Sequence, residues 1–373
     1  MKRKALIIIG VIAIAVAALF VLRPAHRFSD PRPVVTIGAI LPLSGDMAHM
    51  GDAIRRAINF AISDINGNPD NRFAYRAIFD DNQHQARQAV SIANKMIARN
   101  RVSALVTAFS PSAFATAPLI IQHGLIGLHG TPVHEVLDGV YNFTFFPTPA
   151  EITRGLSEFA HSRNPERIAL AFQISGTTLE LLEGLDGKLP GEVRRFDSNL
   201  GDRDFAMLVR RMKEWNPDLI VISASPPGLN ILARELHMQQ VGGTKVYFNL
   251  PNVTDDFSLF EGVYTLSYSQ GNTEFVERMR SASTFFAAYF YDSVRVFAAA
   301  VERAASDSDD IPSAEDISAQ MRRMRAYYGV AGHYDITDAG AFQSAMLMYR
   351  IENGKVVGGS GGGKQDKAST PYH

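Results

Sequence analysis

The order of apolar and polar positions divides the chain into a repeating strand–helix rhythm. Val34 to Leu41 is a continuous apolar run, which predicts a buried strand, and Pro42-Leu43-Ser44-Gly45 follows it. Ile54, Ile58, Ala61, Ile62 and Ile65 then recur at helical spacing and stop at Asn66-Gly67-Asn68-Pro69. Tyr75 to Asp80 predicts a second strand, and Ala86 to Arg99 an amphipathic helix with Val90, Ala93 and Ile97 on its apolar face. Val102 to Phe109 reads as a third strand. Ser110-Pro111 then opens a helix through Ile121 to Gly124, because serine caps free N–H groups and proline suits the first helical turn. A short apolar run, Leu125 to His129, ends in Gly130-Thr131-Pro132. Strands alternating with helices in this way predict a parallel sheet covered on both faces.

The rhythm then repeats. Strands are expected over Arg167 to Ile174, Glu192 to Asp197, Leu219 to Ser225 and Lys245 to Leu250. Helices are expected from Ser175-Gly176 to Lys188, over Asp204 to Trp215, and over Leu229 to Gln240. Tyr141 to Pro149, aromatic and punctuated by proline, reads as a crossing between the two α/β halves. The third section differs. Ser283 to Ala305 is a long helix so rich in aromatics that it must be buried on more than one side. Ile317 to Met324 is a further helix, and Gly332 to Ile336 with Ala345 to Ile351 is expected as a closing antiparallel pair. The last residues, 358–373, are glycine-rich and polar, which predicts a disordered tail.

Composition narrows the function. A chain of 373 residues, 46% hydrophobic and 20% charged, has room for about two globular domains. A net charge of −1 without a basic stripe gives no case for nucleic acid. With no cysteine, disulfides, thiolate catalysis and thiolate metal sites are excluded. The N-terminus carries Lys2-Arg3-Lys4 before an apolar run from Leu6 to Leu22, so residues 1–25 read as a signal peptide or an uncleaved membrane anchor. Either one places the remainder outside the cytoplasm. Residues 26–33 form a linker.

Enzyme signatures are weak. The one Gly-x-Ser-x-Gly, Gly358 to Gly362, lies in the tail with neither a strand before it nor a helix after it. A near phosphate loop in the same tail has Gln365 where a magnesium-binding hydroxyl is required. Asp80-Asp81-Asn82-Gln83-His84 lacks metal-loop spacing. The sequence therefore predicts no catalytic residue, no metal and no cofactor. What remains is a crevice. The strand ends at Phe109-Ser110 and His129-Gly130-Thr131 converge, and open α/β sheets bind ligands at such ends. The helix start at Ser110 offers N–H donors to an anionic group.

Residues 40–66 and 79–97, the Ser110-x-Ser112 turn, residues 201–243 and 284–304, and the closing GVAGHYDITDAG and YRIENGKVV segments occur together in one order. This set resembles the type I periplasmic binding proteins, in the branch that binds leucine, isoleucine, valine and related amides for ABC importers. The resemblance implies two doubly wound parallel-sheet lobes joined by three hinge crossings. Lobe 1 would comprise residues 34–146 and 268–330, and lobe 2 residues 147–267 and 331–357. It further implies a monomeric, extracytoplasmic, non-enzymatic protein that closes on a small ligand and delivers it to an ABC permease. The alternative is a membrane-anchored sensing or regulatory module of the same fold.

By position in that family, Ser110 and Ser112 match the turn that holds a ligand carboxylate, with Phe109 beside it; the alternative for Ser110 is a simple helix cap. His129, Gly130 and Thr131 match the loop that holds the amino or amide end, although His129 also fits a satisfied strand-end histidine. Met50 falls where a side chain meets the ligand's tail, or merely packs. Ser175, Ser225 and Asn249 fall at strand ends of the second lobe. The sequence departs from the amino-acid binders there. They usually carry an acidic residue matching Asn249 to Asn252 and tyrosines near positions 177 and 225, where this chain has Phe248-Asn249-Leu250 and Ser225-Pro226-Pro227. An ammonium group without an opposing carboxylate forgoes a bond worth about 1.5–3 kcal/mol. A neutral or anionic ligand, such as an amide, a small carboxylate or an aromatic acid, is therefore expected.

Overall fold

The computed structural model describes residues 30–360 apart from 46, 133, 200, 225–226, 249, 251–256, 281–283 and 306–307. The first sheet is built from β1 (Val34–Leu41), β2 (Ala74–Asp81), β3 (Ala104–Ala108), β4 (Ile126–Gly130) and β5 (Asn142–Thr144). All are parallel, in the order β2-β1-β3-β4-β5. Its helices are α1 (Ala48–Asn66), α2 (Ala86–Lys95, prolonged by a π-turn to Asn100) and α3 (Ser110–His123). α1 buries Met50, Ala53, Ile54, Ala57, Ile58, Ala61, Ile62 and Ile65, one stripe at 3.6-residue spacing. Each buried isoleucine contributes about 1.5–3 kcal/mol. Strand order reverses between β1 and β3, which is where such sheets open a crevice.

The second sheet follows α4 (Pro149–Arg163). Its parallel strands are β6 (Arg167–Ile174), β7 (Glu192–Arg195), β9 (Leu219–Ser223), β10 (Thr244–Phe248) and β11 (Tyr264–Ser267), with a short β8 (Ser198–Asn199) beside β6. Between them run α5 (Gly176–Leu185), α6 (Ala206–Trp215) and α7 (Gly228–Met238). α4 begins with a capping box: Thr148 and Glu151 satisfy each other's backbone N–H, and Pro149 opens the first turn.

The chain then returns to the first sheet. α8 (Thr273–Met279), α9 (Thr284–Ala305) and α10 (Ala314–Arg323) follow. α9 packs along α1 and α10 and buries Phe285, Tyr289, Phe290, Val294, Phe297 and Val301. As its composition predicts, it is covered on more than one side. A small sheet of β12 (Ala326–Gly329), β13 (Gly332–Ile336) and β14 (Phe342–Ser344) comes next. Finally β15 (Leu347–Glu352) joins the second sheet antiparallel to β11, with β16 (Lys355–Ser360) outside it. The chain thus passes between the two lobes three times, after β5, after β11 and after β14.

Three expectations need correction. Gly332–Ile336 does not pair with the strand near 345–351; it pairs with β12 and β14, while β15 pairs with β11 and β16. The tail begins later than expected, because Gly358 to Ser360 complete a strand closed by the Asn353-Gly354 turn. The block 331–357 does not move as one piece into the second lobe. β13 and β14 stay with the first lobe, where Phe342 stacks on Phe145 at 4.2 Å and Tyr334 bonds Asp292 of α9. Residues 1–29 and 361–373 lie outside the described residues, and with them the expected signal segment and most of the tail. No described helix is long and apolar enough to cross a membrane.

Candidate functional site

At the carboxyl ends of the first sheet, one set of side-chain bonds ties four strand ends together. Asp81, closing β2, accepts from Leu43 N at 2.8 Å and from Ser44 Oγ at 2.5 Å, so it holds the loop after β1. Partial burial pushes its carboxyl up, but the bonds from Ser44, Gln83 N and Leu43 N outweigh this and hold it below the usual carboxylate range. The next residue, Asn82, is fully buried and donates from Nδ2 to Ser112 Oγ at 2.7 Å. Ser112 therefore faces Asn82 inside the lobe, where a ligand carboxylate would have to displace that bond.

Ser110 behaves differently from a cap. The position before α3 is Phe109, at φ 67° and ψ 152°, and no side chain caps the helix. The Ser110 hydroxyl instead lies 2.7 Å from Thr131 Oγ1, across from β3 to the end of β4. A hydroxyl pair thus sits at a helix start whose first N–H groups have no intrahelical acceptor. Such a start attracts an anionic group.

Phe109 reaches its conformation at a cost. Its φ and ψ fall in a region that glycine alone occupies freely, and such strain concentrates at binding and catalytic sites. Gln83 and His84, after β2, also have positive φ, 51° and 58°. The other described non-glycine residues with positive φ close helices or turns: Arg101, Asn164, Asn216 and Arg280 are helix caps, Gln240 is in the turn that ends α7, and Asn353 is in a hairpin. The exposed His84 ring meets Phe109 edge-on at 5.2 Å, and Phe286 of α9 flanks the same ring at 5.8 Å. His84, Asn82 and Phe286 stand at these strand ends without being among the residues expected for the site. The signals were present in the Asp-Asn-Gln-His run and in the paired phenylalanines that open α9.

His129 corrects the expectation of a ligand-facing loop. It lies within β4, 1% exposed, with Nδ1 2.8 Å from Thr107 Oγ1 and Nε2 2.7 Å from Asn142 Oδ1. Asp138 accepts from Asn142 Nδ2, which orients that amide so that Nε2 carries the ring proton and Nδ1 accepts. Burial pushes the imidazole down to about 4, against the Asn142 bond and the Asp138 charge, so the ring is neutral at pH 7. Both nitrogens are spent within the protein. Gly130 lies under the Phe290 ring, whose Cζ would stand 2.2 Å from an added Cβ. Thr131 is fully buried, and its carbonyl accepts from the Thr144 hydroxyl.

Met50 is buried on α1, next to Gly51, whose closeness to the Pro42 carbonyl admits no side chain. Ser175 caps α5 and is half-buried, its hydroxyl accepting from Thr178 N at 3.3 Å. Ser225 and Asn249 lie outside the described residues. Two surface hollows open on the second lobe. One, of about 490 Å³, is lined by Arg154, Glu158, His161 and Lys188; the other, of about 370 Å³, by Arg163, Lys245, Tyr264 and Arg350. Neither contains a strand end facing the crevice. The first is lined by exposed, partly ion-paired side chains, so the strand ends carry the better claim.

This architecture has known counterparts. The Leu/Ile/Val-binding protein BraC3 of Rhizobium johnstonii is 22% identical over 365 residues, spanning 87% of this chain and 93% of BraC3. Among solved structures, the leucine-binding protein LivK of Thermotoga maritima superposes with a TM-score of 0.71 at 20% identity, covering 88% of this chain and 98% of LivK. A solute-binding protein of an ABC transporter from R. palustris, solved with 4-hydroxybenzoate, superposes with a TM-score of 0.69 at 16% identity, over 87% of this chain and 95% of that one. The sequence profile of the periplasmic binding protein family matches residues 34–355. With that match running through both lobes and all three crossings, the chain belongs to the periplasmic binding protein family.

Proposed function

We propose that this protein captures a small carboxylate outside the cytoplasm, between its two lobes, and delivers it to the permease of an ABC importer. The carboxylate would sit at the start of α3, on the half-buried Ser110 hydroxyl and the N–H groups of the first turn, with the buried Thr131 hydroxyl behind Ser110. One observation carries the ligand class. The carboxylate nearest in sequence to this crevice, Asp81, is already engaged by Leu43, Ser44 and Gln83. Its oxygens are committed to those donors, so an ammonium group would have to displace them to pair with it. The wall beside the hydroxyl pair is aromatic, formed by Phe109 and His84. A planar or apolar tail fits that wall better than a zwitterionic head does.

The relatives span both chemistries. BraC3 is a Leu/Ile/Val-binding protein, and the R. palustris neighbour holds 4-hydroxybenzoate. Ser175, Ser225 and Asn249 would close from the second lobe, while Met50, Ser112 and Gly130 shape the first lobe behind the contact surface. Transport is favoured over sensing because the R. palustris neighbour is the solute-binding protein of an ABC transporter. A thermal-shift panel of benzoate, 4-hydroxybenzoate, L-leucine and L-isoleucine tests the reading. A ligand at ~100 times its dissociation constant adds about 2.7 kcal/mol of stability. Stabilisation by the benzoates and not by the amino acids is expected; the reverse order would overturn the ligand class, and a shift with no small solute in a wider screen would overturn solute capture.

A further inference from the structure

The ring of Phe286 touches one ring at the strand ends and one on each of two interlobe crossings. It lies 5.8 Å from Phe109 on the crevice wall, 5.2 Å from Phe146 on the first crossing, and 5.1 Å from Tyr268 on the second. Phe146 and Tyr268 are themselves buried and in contact, at 5.3 Å. Phe286 is only half-buried and stands in the first turn of α9, directly over the strained Phe109. We infer that Phe286 is a positioning residue that couples the crevice wall at Phe109 to the interlobe crossings, so that the state of the crevice sets the balance between open and closed lobes.

The physical reason is packing. Closure rotates one lobe about residues that follow β5 and β11, and the rings on those crossings must shift with the backbone. Close-packed rings exchange between discrete arrangements and do not compress. Phe286 is shared by two of the three crossings and by Phe109, so a change at either end is felt at the other, and the coupling is reciprocal. A ligand lying against Phe109 would thereby bias the hinge without touching it. This inference rests on the crevice being the ligand site, but its test needs no ligand.

The absence of cysteine allows one label in each lobe, at Asp70→Cys and Arg211→Cys, both at exposed positions. Single-molecule energy transfer on the full unliganded chain then reports the interlobe distance distribution. Phe286→Ala and Phe109→Ala should each change the ratio of open to closed populations by about three- to tenfold, the worth of one aromatic pair. The double variant should change it no further than the larger single one. Phe286→Leu, which keeps most of the volume, should lie between. A role confined to packing would lower the melting temperature of Phe286→Ala and leave the Phe109→Ala distribution superimposable on the parent; that result, or independent addition in the double variant, overturns the inference. Should Phe286→Ala fail to fold, Phe109→Ala decides the matter alone, since its ring is half-exposed. Failure here leaves solute capture standing, because the ligand panel on the unmodified protein tests that separately.

Discussion

The hydroxyls of Ser110 and Thr131 lie 2.7 Å apart although 21 residues separate them in the chain. One comes from a helix start and the other from the next strand end, so their meeting depends on β3 and β4 being adjacent and parallel. The two groups share one hydrogen bond. A carboxylate at the helix start would compete with Thr131 for the hydroxyl of Ser110, the half-buried member of the pair.

Ser110→Ala should therefore weaken binding of the carboxylate selected by the ligand panel. Hydrogen bonds to charged groups are worth about 1.5–3 kcal/mol, so the dissociation constant should rise by roughly tenfold to a hundredfold. Titration calorimetry checks this. An affinity within twofold of the parent would remove Ser110 from the site.

Two buried groups give opposite dependences of stability on pH. Asp292 is fully buried in α9 and accepts from Val330 N, Ala331 N and the Tyr334 hydroxyl. Burial outweighs those bonds and pushes its carboxyl from 3.8 up to about 6. The native state keeps a proton that the unfolded chain releases, so this contribution is complete below pH 3.8 and lost as pH rises through 6. His129 is lowered from 6.5 to about 4, so its contribution is complete above pH 6.5 and lost as pH falls through 4. Each amounts to about 3 kcal/mol, and in the parent they largely cancel between pH 4 and 6.5. Asp292→Asn should unmask His129: urea denaturation should show stability rising with pH by up to about 3 kcal/mol across that window. A flat profile in the variant would show that His129 does not titrate there.

Gly130→Ala tests the closeness of α9 to β4. An added methyl would stand 2.2 Å from Phe290 Cζ, and Phe290 is itself buried within the core. Overpacking of this kind costs about 1–3 kcal/mol. The loss should appear in urea denaturation and be partly restored by Phe290→Leu. A change below about 0.5 kcal/mol would mean the helix moves aside freely.

The sequence made the sheets legible because strands buried on both faces read as unbroken apolar runs, as in β1, β3, β6 and β9. It made α9 legible for the same reason: rings on every side of a helix have to be covered. The closing strands were less so. β13 and β15 both alternate, and nothing local says that β13 belongs with the first lobe while β15 crosses to the second. α4 carries its own signature in Thr148-Pro149-Ala150-Glu151, which an aromatic, proline-rich approach obscures. The ends of β3 and β4 are legible in the sequence, but the side-chain partners of the residues there are not. The pairing of His129 with Thr107 and Asn142 depends on the strands either side of it, and those distances do not exist until the sheet forms.

Phe109 is the case where local preference and structure conflict most directly. A phenylalanine at φ 67° and ψ 152° carries strain of about 1–3 kcal/mol, and the rings of His84 and Phe286 hold it there. Comparing two truncations isolates that strain, because both remove the ring and only one removes Cβ. At an ordinary position Phe109→Gly would be less stable than Phe109→Ala by about 0.4–1 kcal/mol, since glycine frees the unfolded chain. Here the order should invert, with the glycine variant more stable by about 1 kcal/mol in urea denaturation, while both variants bind the carboxylate more weakly than the parent. If alanine proves the more stable of the two, the backbone at Phe109 is relaxed, and the crevice wall stores no strain for a ligand to use.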